Sequence, residues 1–61
     1  MLRLKAIRES KLITQKELSI KTGLTIATIS FLENGHTKPR FGTIRILAQV
    51  LGVEPSDLIR E

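Results

Sequence analysis

Apolar residues recur along this chain in steps of three and four, and each run is broken by a glycine or by a side chain suited to capping a helix. Leu4 and Ile7 begin a stripe that extends towards Lys11, with Arg3, Lys5, Arg8 and Glu9 around it. That spacing predicts a first helix over residues 2–10. Leu12 and Ile13 follow as a hydrophobic link. Thr14-Gln15-Lys16-Glu17 then has the form of a capping box, flanked by Ile13 and Leu18 as a hydrophobic staple. A second helix is expected over Gln15–Thr22. Gly23 stops it, because glycine enters the left-handed conformation without a Cβ clash.

Thr25 is another N-cap, so a third helix should run from Ile26 to about Asn34 and end at Gly35. Ile29 and Leu32 mark its inner side. Residues 35–40, GHTKPR, form a basic loop whose exit is fixed by Pro39. Ile44, Leu47, Ala48 and Leu51 then repeat at i, i+3, i+4 and i+7, which predicts a fourth helix over residues 41–51, capped by Gly52. A short fifth helix should follow Glu54, with Pro55 at its first position and Leu58 and Ile59 facing in. There is no strand pattern, repeat or linker. The expected fold class is all-α, five helices in one domain spanning residues 1–61.

Composition narrows the function. A 61-residue chain has a small core, and with no cysteine and one histidine it has neither a disulfide nor a metal to reinforce it. His36 has no second histidine or cysteine beside it, so no metal site is expected. Ten Lys and Arg against six Asp and Glu give a net charge of +4, which favours a polyanion, nucleic acid before an anionic membrane. The longest uncharged stretch, Thr22 to Leu32, is too short and too polar to span a bilayer. The charged, alternating start does not resemble a signal peptide, and a chain without cysteine suits the cytoplasm. No Ser/His/Asp or Cys/His set, carboxylate cluster or glycine-rich phosphate loop is present, so no enzyme and no cofactor is expected.

The second and third helices and the glycine between them have the spacing of a helix-turn-helix. Gly23 supplies the turn, Ser19 a small residue where the backbones approach, and Leu18, Leu24, Ile29 and Leu32 the shared core. Any helical hairpin uses such residues, so spacing alone leaves a plain structural hairpin open. The third helix is unusual in another way. It shows Ile26, Ala27, Thr28 and Phe31 where a polar face belongs. Either it is buried all round, or its outer face meets something other than water.

TQKELSIKTGLTIATISFLENG followed by HTKPRFGTIRILAQVLGVEPSDL resembles the phage repressor and Cro family, also called the xenobiotic-response-element family. The resemblance spans nearly the whole chain. It implies a compact five-helix, lambda-repressor-like DNA-binding domain, acting as a transcriptional regulator, most often a repressor, on a pseudo-palindromic operator. It implies a homodimer, formed weakly or only on DNA. By position, Thr25, Ile26, Ala27, Thr28 and Phe31 match base-contacting residues. Arg8, Gln15, Lys16, Asn34, Lys38 and Arg40 match residues near phosphates or the minor groove. Phe41, Val53, Pro55 and Leu58 match the dimer seam. Arg8 and Glu33 match a surface salt bridge that sets the angle of the third helix.

Several positions keep two readings. Gln15 either contacts a phosphate and braces the third helix, as the resemblance implies, or only completes the cap. Arg40 either lies over a narrow minor groove or is a solvated loop charge. Ile26 and Phe31 either face DNA or turn into the core or a protein interface. Many relatives carry glutamine or another long polar residue at positions 26 and 27; isoleucine and alanine instead suit thymine methyls, with Thr25 or Thr28 donating hydrogen bonds. Leu12 stands where glycine is common, and Arg40-Phe41 opens the fourth helix without a Ser or Thr cap. Ile20, Ile46 and Val50 are apolar where polar residues are frequent. Those three sustain an alternative, an antitoxin-like or controller module whose main partner is another protein.

Overall fold

The computed structural model describes residues 2–36 and 38–59. Five helices follow in order: α1 Leu4–Ser10, α2 Gln15–Thr22, α3 Ile26–Glu33, α4 Phe41–Leu51 and α5 Pro55–Leu58. The local signals explain most boundaries. Thr14 accepts from the Glu17 backbone amide at 3.0 Å, and the Glu17 carboxylate accepts from Thr14 N–H at 3.0 Å, so the capping box is complete. Hydrogen bonding from Thr14, its backbone N–H first and its hydroxyl second, holds the Glu17 carboxyl below its ordinary range. Gly23 ends α2 at φ +79°.

α1 begins two residues later than the apolar spacing predicts. The Arg3 amide donates to the Leu58 carbonyl at 2.7 Å, so residues 2–3 form a non-helical arm tied to the end of α5. Leu2 still packs on the core. The sequence reading also overlooked the cap of α5, where the Asp57 carboxylate accepts from Glu54 N–H at 3.1 Å.

The turn between α2 and α3 is fixed by side chains as well as by glycine. Ser19 is more than a small spacer: its hydroxyl donates to the Leu24 carbonyl. Thr22 donates to the Leu18 carbonyl at 2.7 Å and accepts from Leu24 N–H at 3.2 Å. The polar groups of the turn are thereby satisfied where the two helices meet.

All five helices supply the core, which consists of Leu4, Leu18, Ile29, Leu32, Ile44, Leu47, Ala48, Leu51 and Leu58. Ile7, Ile13, Leu24, Val50 and Val53 pack against it. The expectation that Ile59 faces in is corrected. α5 ends at Leu58, and Ile59 leaves the helical path as its C-cap with its side chain half exposed. Of the three apolar positions expected to be polar, Val50 is half-buried against the core, and only Ile20 and Ile46 are exposed. No helix among the described residues is long and apolar enough to cross a membrane.

Leu12 departs most from its expected role. Instead of linking the helices it is 89% exposed, and its φ is +58°. Ile13 N–H donates to the Arg8 carbonyl at 3.2 Å and Leu12 N–H to the Glu9 carbonyl at 3.0 Å. This is the hydrogen-bond pattern of a helix end that places one residue in the left-handed region, where glycine is preferred. A leucine there pays about 1–2 kcal/mol in Cβ–carbonyl repulsion. Leu12→Gly relieves that strain at some cost in unfolded-state entropy, and we expect a net gain of about 1 kcal/mol. A urea titration measures it; an unchanged or lowered midpoint contradicts the reading.

Candidate nucleic-acid interface

α3 carries no charge from Ile26 to Leu32, yet it is buried on one side only. Ile29 and Leu32 face the core, while Ile26 is 44% exposed and Ala27 and Phe31 are exposed. Successive helical residues turn by about 100°, so Ala27, Ser30, Phe31 and Asn34 share the outward face. Of the two readings of this helix, burial all round is excluded. Ser30 is the residue that sequence reasoning missed. Its spacing, three from Ala27 and four from Asn34, is the signal that places it there.

Polar groups on this helix bond first to one another. Thr25 accepts from Thr28 N–H at 3.0 Å, and the two threonine hydroxyls share a hydrogen bond at 2.8 Å. The Asn34 amide donates to Ser30 Oγ at 3.3 Å. Beyond the helix end, the His36 ring meets Phe31 edge to face, with centroids 6.0 Å apart and planes at 82°.

What fixes α3 is at its other end. Glu33, its last residue, has a side chain only 2% exposed. Arg8 of α1 grips this carboxylate with two donors, Nε at 2.6 Å and a terminal nitrogen at 3.2 Å. Its other terminal nitrogen donates to the Ile13 carbonyl at 2.7 Å, in the turn before α2. Gln15, the first residue of α2, adds an amide hydrogen bond to Glu33 Oε1 at 2.9 Å. One carboxylate therefore joins α1, the start of α2 and the end of α3. Hydrogen bonding to Glu33 outweighs burial and raises the affinity of the Arg8 guanidinium for its proton.

The expectation of a surface salt bridge is corrected, because both side chains are almost completely buried. The expected role of Arg8 at a phosphate changes with it: its guanidinium is spent on two acceptors inside the protein. For Gln15 the structure shows the bracing half of the first reading. It braces α3 through Glu33, and its amide oxygen and second amide proton are left over.

The remaining basic candidates are on the surface. Lys16, Lys38 and Arg40 are exposed, and Arg40 begins α4 without a side-chain cap. Asn34, Gly35 and Lys38 border one hollow of about 340 Å³ beside the end of α3.

Of the four candidates for a dimer seam, Phe41 is 85% exposed and Pro55 is exposed, but Val53 is half-buried against the core. Leu58 is corrected: at 0% exposure it is a core residue and offers nothing to a partner. The surface there is instead a shallow groove of about 370 Å³ lined by Phe41, Ile44, Arg45, Pro55 and Ile59.

The buried pair makes its own prediction. Glu33→Gln leaves the Arg8 guanidinium buried without a counter-charge, which costs about 3 kcal/mol or more. Replacing both, as Arg8→Met with Glu33→Leu, removes the stranded charge and should cost less than the single change. Urea unfolding followed by circular dichroism gives both values; a single variant within 1 kcal/mol of the parent, on the order of an exposed pair, contradicts the burial argument.

Comparison with known proteins agrees with this geometry. A helix-turn-helix family model matches residues 4–58. Over 51 residues the chain is 39% identical to the uncharacterized HTH-type transcriptional regulator y4dL of Sinorhizobium fredii, covering 84% of this chain and 26% of that protein. The chain thus spans about a quarter of the length of the curated relative it matches. With α2 and α3 joined at Gly23 and nearly the whole chain inside the match, the protein belongs to the Cro/C1-type, xenobiotic-response-element family of helix-turn-helix proteins.

Proposed function

We propose that this protein is a sequence-specific DNA-binding regulator, a repressor that binds a pseudo-palindromic operator as a dimer. The single observation that carries the reading is the outward face of α3. It is exposed, free of charge over its first two turns, and held at its far end by the Glu33 clamp. A helix of this size fits the roughly 12 Å wide major groove, and DNA would remove water from the apolar surface that Ile26, Ala27 and Phe31 leave exposed. Thymine methyl groups are the base-edge features that such side chains complement.

Around that helix, the free amide atoms of Gln15, the first amides of α2, Lys16, Asn34, Lys38 and Arg40 supply phosphate contacts, with Arg40 reaching towards the minor groove. A helix N-terminus favours an anion through its unpaired N–H groups. Arg8 acts one step back, through Glu33. The groove at Phe41, Pro55 and Ile59 is the dimer seam, small enough that pairing is weak until DNA holds both copies. This role needs no cofactor and no catalytic group, and it belongs in the cytoplasm.

A second reading rests on Ile20, which is 74% exposed. It gives α2 an apolar residue on the side away from the core, where a controller module would bind another protein. The two readings separate in one experiment. With about six phosphate contacts, log Kd should rise with log salt at a slope of roughly five. Selection from random duplexes should enrich two half-sites roughly 34 Å apart, one helical turn. A salt-insensitive protein that enriches nothing, yet elutes in complex with a protein partner, favours the second reading.

A further inference from the structure

His36 is the chain's one histidine, and it stands just past the end of α3. Gly35 N–H donates to the Leu32 carbonyl at 3.3 Å and His36 N–H to the Phe31 carbonyl at 2.9 Å, which closes the helix end around the left-handed Gly35. The imidazole is exposed and meets the exposed ring of Phe31 edge to face. It therefore borders the outward face of α3 on one side and the basic loop on the other. The charges around it are unbalanced. On α3 the nearby carboxylate is Glu33, buried and already held by Arg8 and Gln15. In the loop Lys38 is exposed, and Arg40 is exposed at the start of α4. From the N-terminal arm, Leu2 borders the same hollow as Gly35 and Lys38, and Arg3 beside it is exposed. The sequence from Asn34 to Arg40 contains no acid.

We propose that DNA binding by this protein is linked to proton uptake at His36, whose imidazolium joins Lys38 and Arg40 as a third cation on the surface that follows α3. The inference rests on the DNA-binding reading above and adds a regulatory input to it. Imidazole is the side chain that changes charge between about pH 5 and 8. A helix C-terminus carries partial negative charge, which suits a cation. With Glu33 spent in the clamp, this stretch has no free carboxylate to neutralise an imidazolium, so a phosphate of the duplex is its counter-ion. A phosphate favours the protonated ring. The contribution to affinity is therefore present at low pH and is lost as pH rises through the imidazole range. One more cation on the backbone also releases one more counter-ion, so the salt dependence is steeper at low pH.

The test uses the full chain and a labelled duplex, with affinity read by fluorescence anisotropy at fixed ionic strength from about pH 8 down to about pH 5.5. A mixed-sequence duplex serves as well as a selected one, because the contact is to a phosphate and not to a base. The parent should bind about three- to tenfold tighter at the acid end, and the slope of log Kd against log salt should rise by up to about one over the same range. His36→Gln keeps a polar side chain without the charge. It should bind as the parent does at the alkaline end and should lose most of both changes. His36→Lys carries the charge throughout, so at the alkaline end it should bind as tightly as the parent does at the acid end. Circular dichroism confirms that each variant is folded across the range.

A structural role for the histidine predicts a different pattern. If the ring served only to hold Phe31, His36→Gln and His36→Lys would weaken binding alike at every pH. That result overturns the proposal, as does a parent whose affinity and salt slope are the same at both ends of the range. So does a pH dependence that survives intact in His36→Gln. Each of these outcomes leaves DNA binding itself in place. A parent that binds no duplex at either end removes the DNA-binding reading, and this proposal with it.

Discussion

The carboxylate of Glu33 is the point on which the rest of the structure depends. It accepts from Arg8 on α1 and from Gln15 at the start of α2, and it terminates α3. In a chain of 61 residues whose core comprises nine buried apolar side chains among the described residues, a helix as short as α3 would be poorly fixed by packing alone. A buried charge pair contributes little net stability, since desolvation offsets most of its attraction. Its effect is geometric. Any rotation of α3 strands a buried charge, so the helix has one allowed orientation. The apolar leading turn can then project into solvent without collapsing onto the core.

Arg8 and Gln15 also connect that orientation to the neighbouring surface. Arg8 holds the Ile13 carbonyl, and this fixes the path of the chain into α2. Gln15 stands where the free amides of α2 begin, so the proposed phosphate-facing end of α2 and the proposed reading face of α3 are set by the same carboxylate. A strained residue lies beside this network: Leu12 sits in the left-handed region immediately before the carbonyl that Arg8 holds. The fold keeps that strain because the hydrogen bonds at the end of α1 demand the conformation whatever residue stands there.

The helices were legible in the sequence because their ends are written locally. Thr14, Gly23, Thr25 and Gly52 each act through backbone groups within a few residues, so α2, α3 and α4 could be placed to within a residue. The arm at residues 2–3 was not legible, because the Leu58 carbonyl that holds it is more than fifty residues away in the chain. A single-turn helix gives no periodicity to set its phase, which is why Leu58 was rightly read as facing in while Ile59 was wrongly placed beside it. The site was legible in its apolar leading turn, which breaks the usual pattern of a surface helix. The pairing of Arg8 with Glu33 was legible through the resemblance, but its burial was not, because nothing in the local sequence of either residue shows that α1 and α3 close over the pair.

The central claim is that α3, held by Glu33, is the face presented to DNA. A two-dimensional NMR titration of the labelled protein with a short duplex at low salt tests it most directly. The account predicts that amide and methyl shifts concentrate on the first two turns of α3, on Gln15 and Lys16, and on the segment from Asn34 to Arg40. Ile20 and Ile46 should stay still. Shifts centred on Ile20 or Ile46, with the α3 methyl groups unmoved, would contradict it.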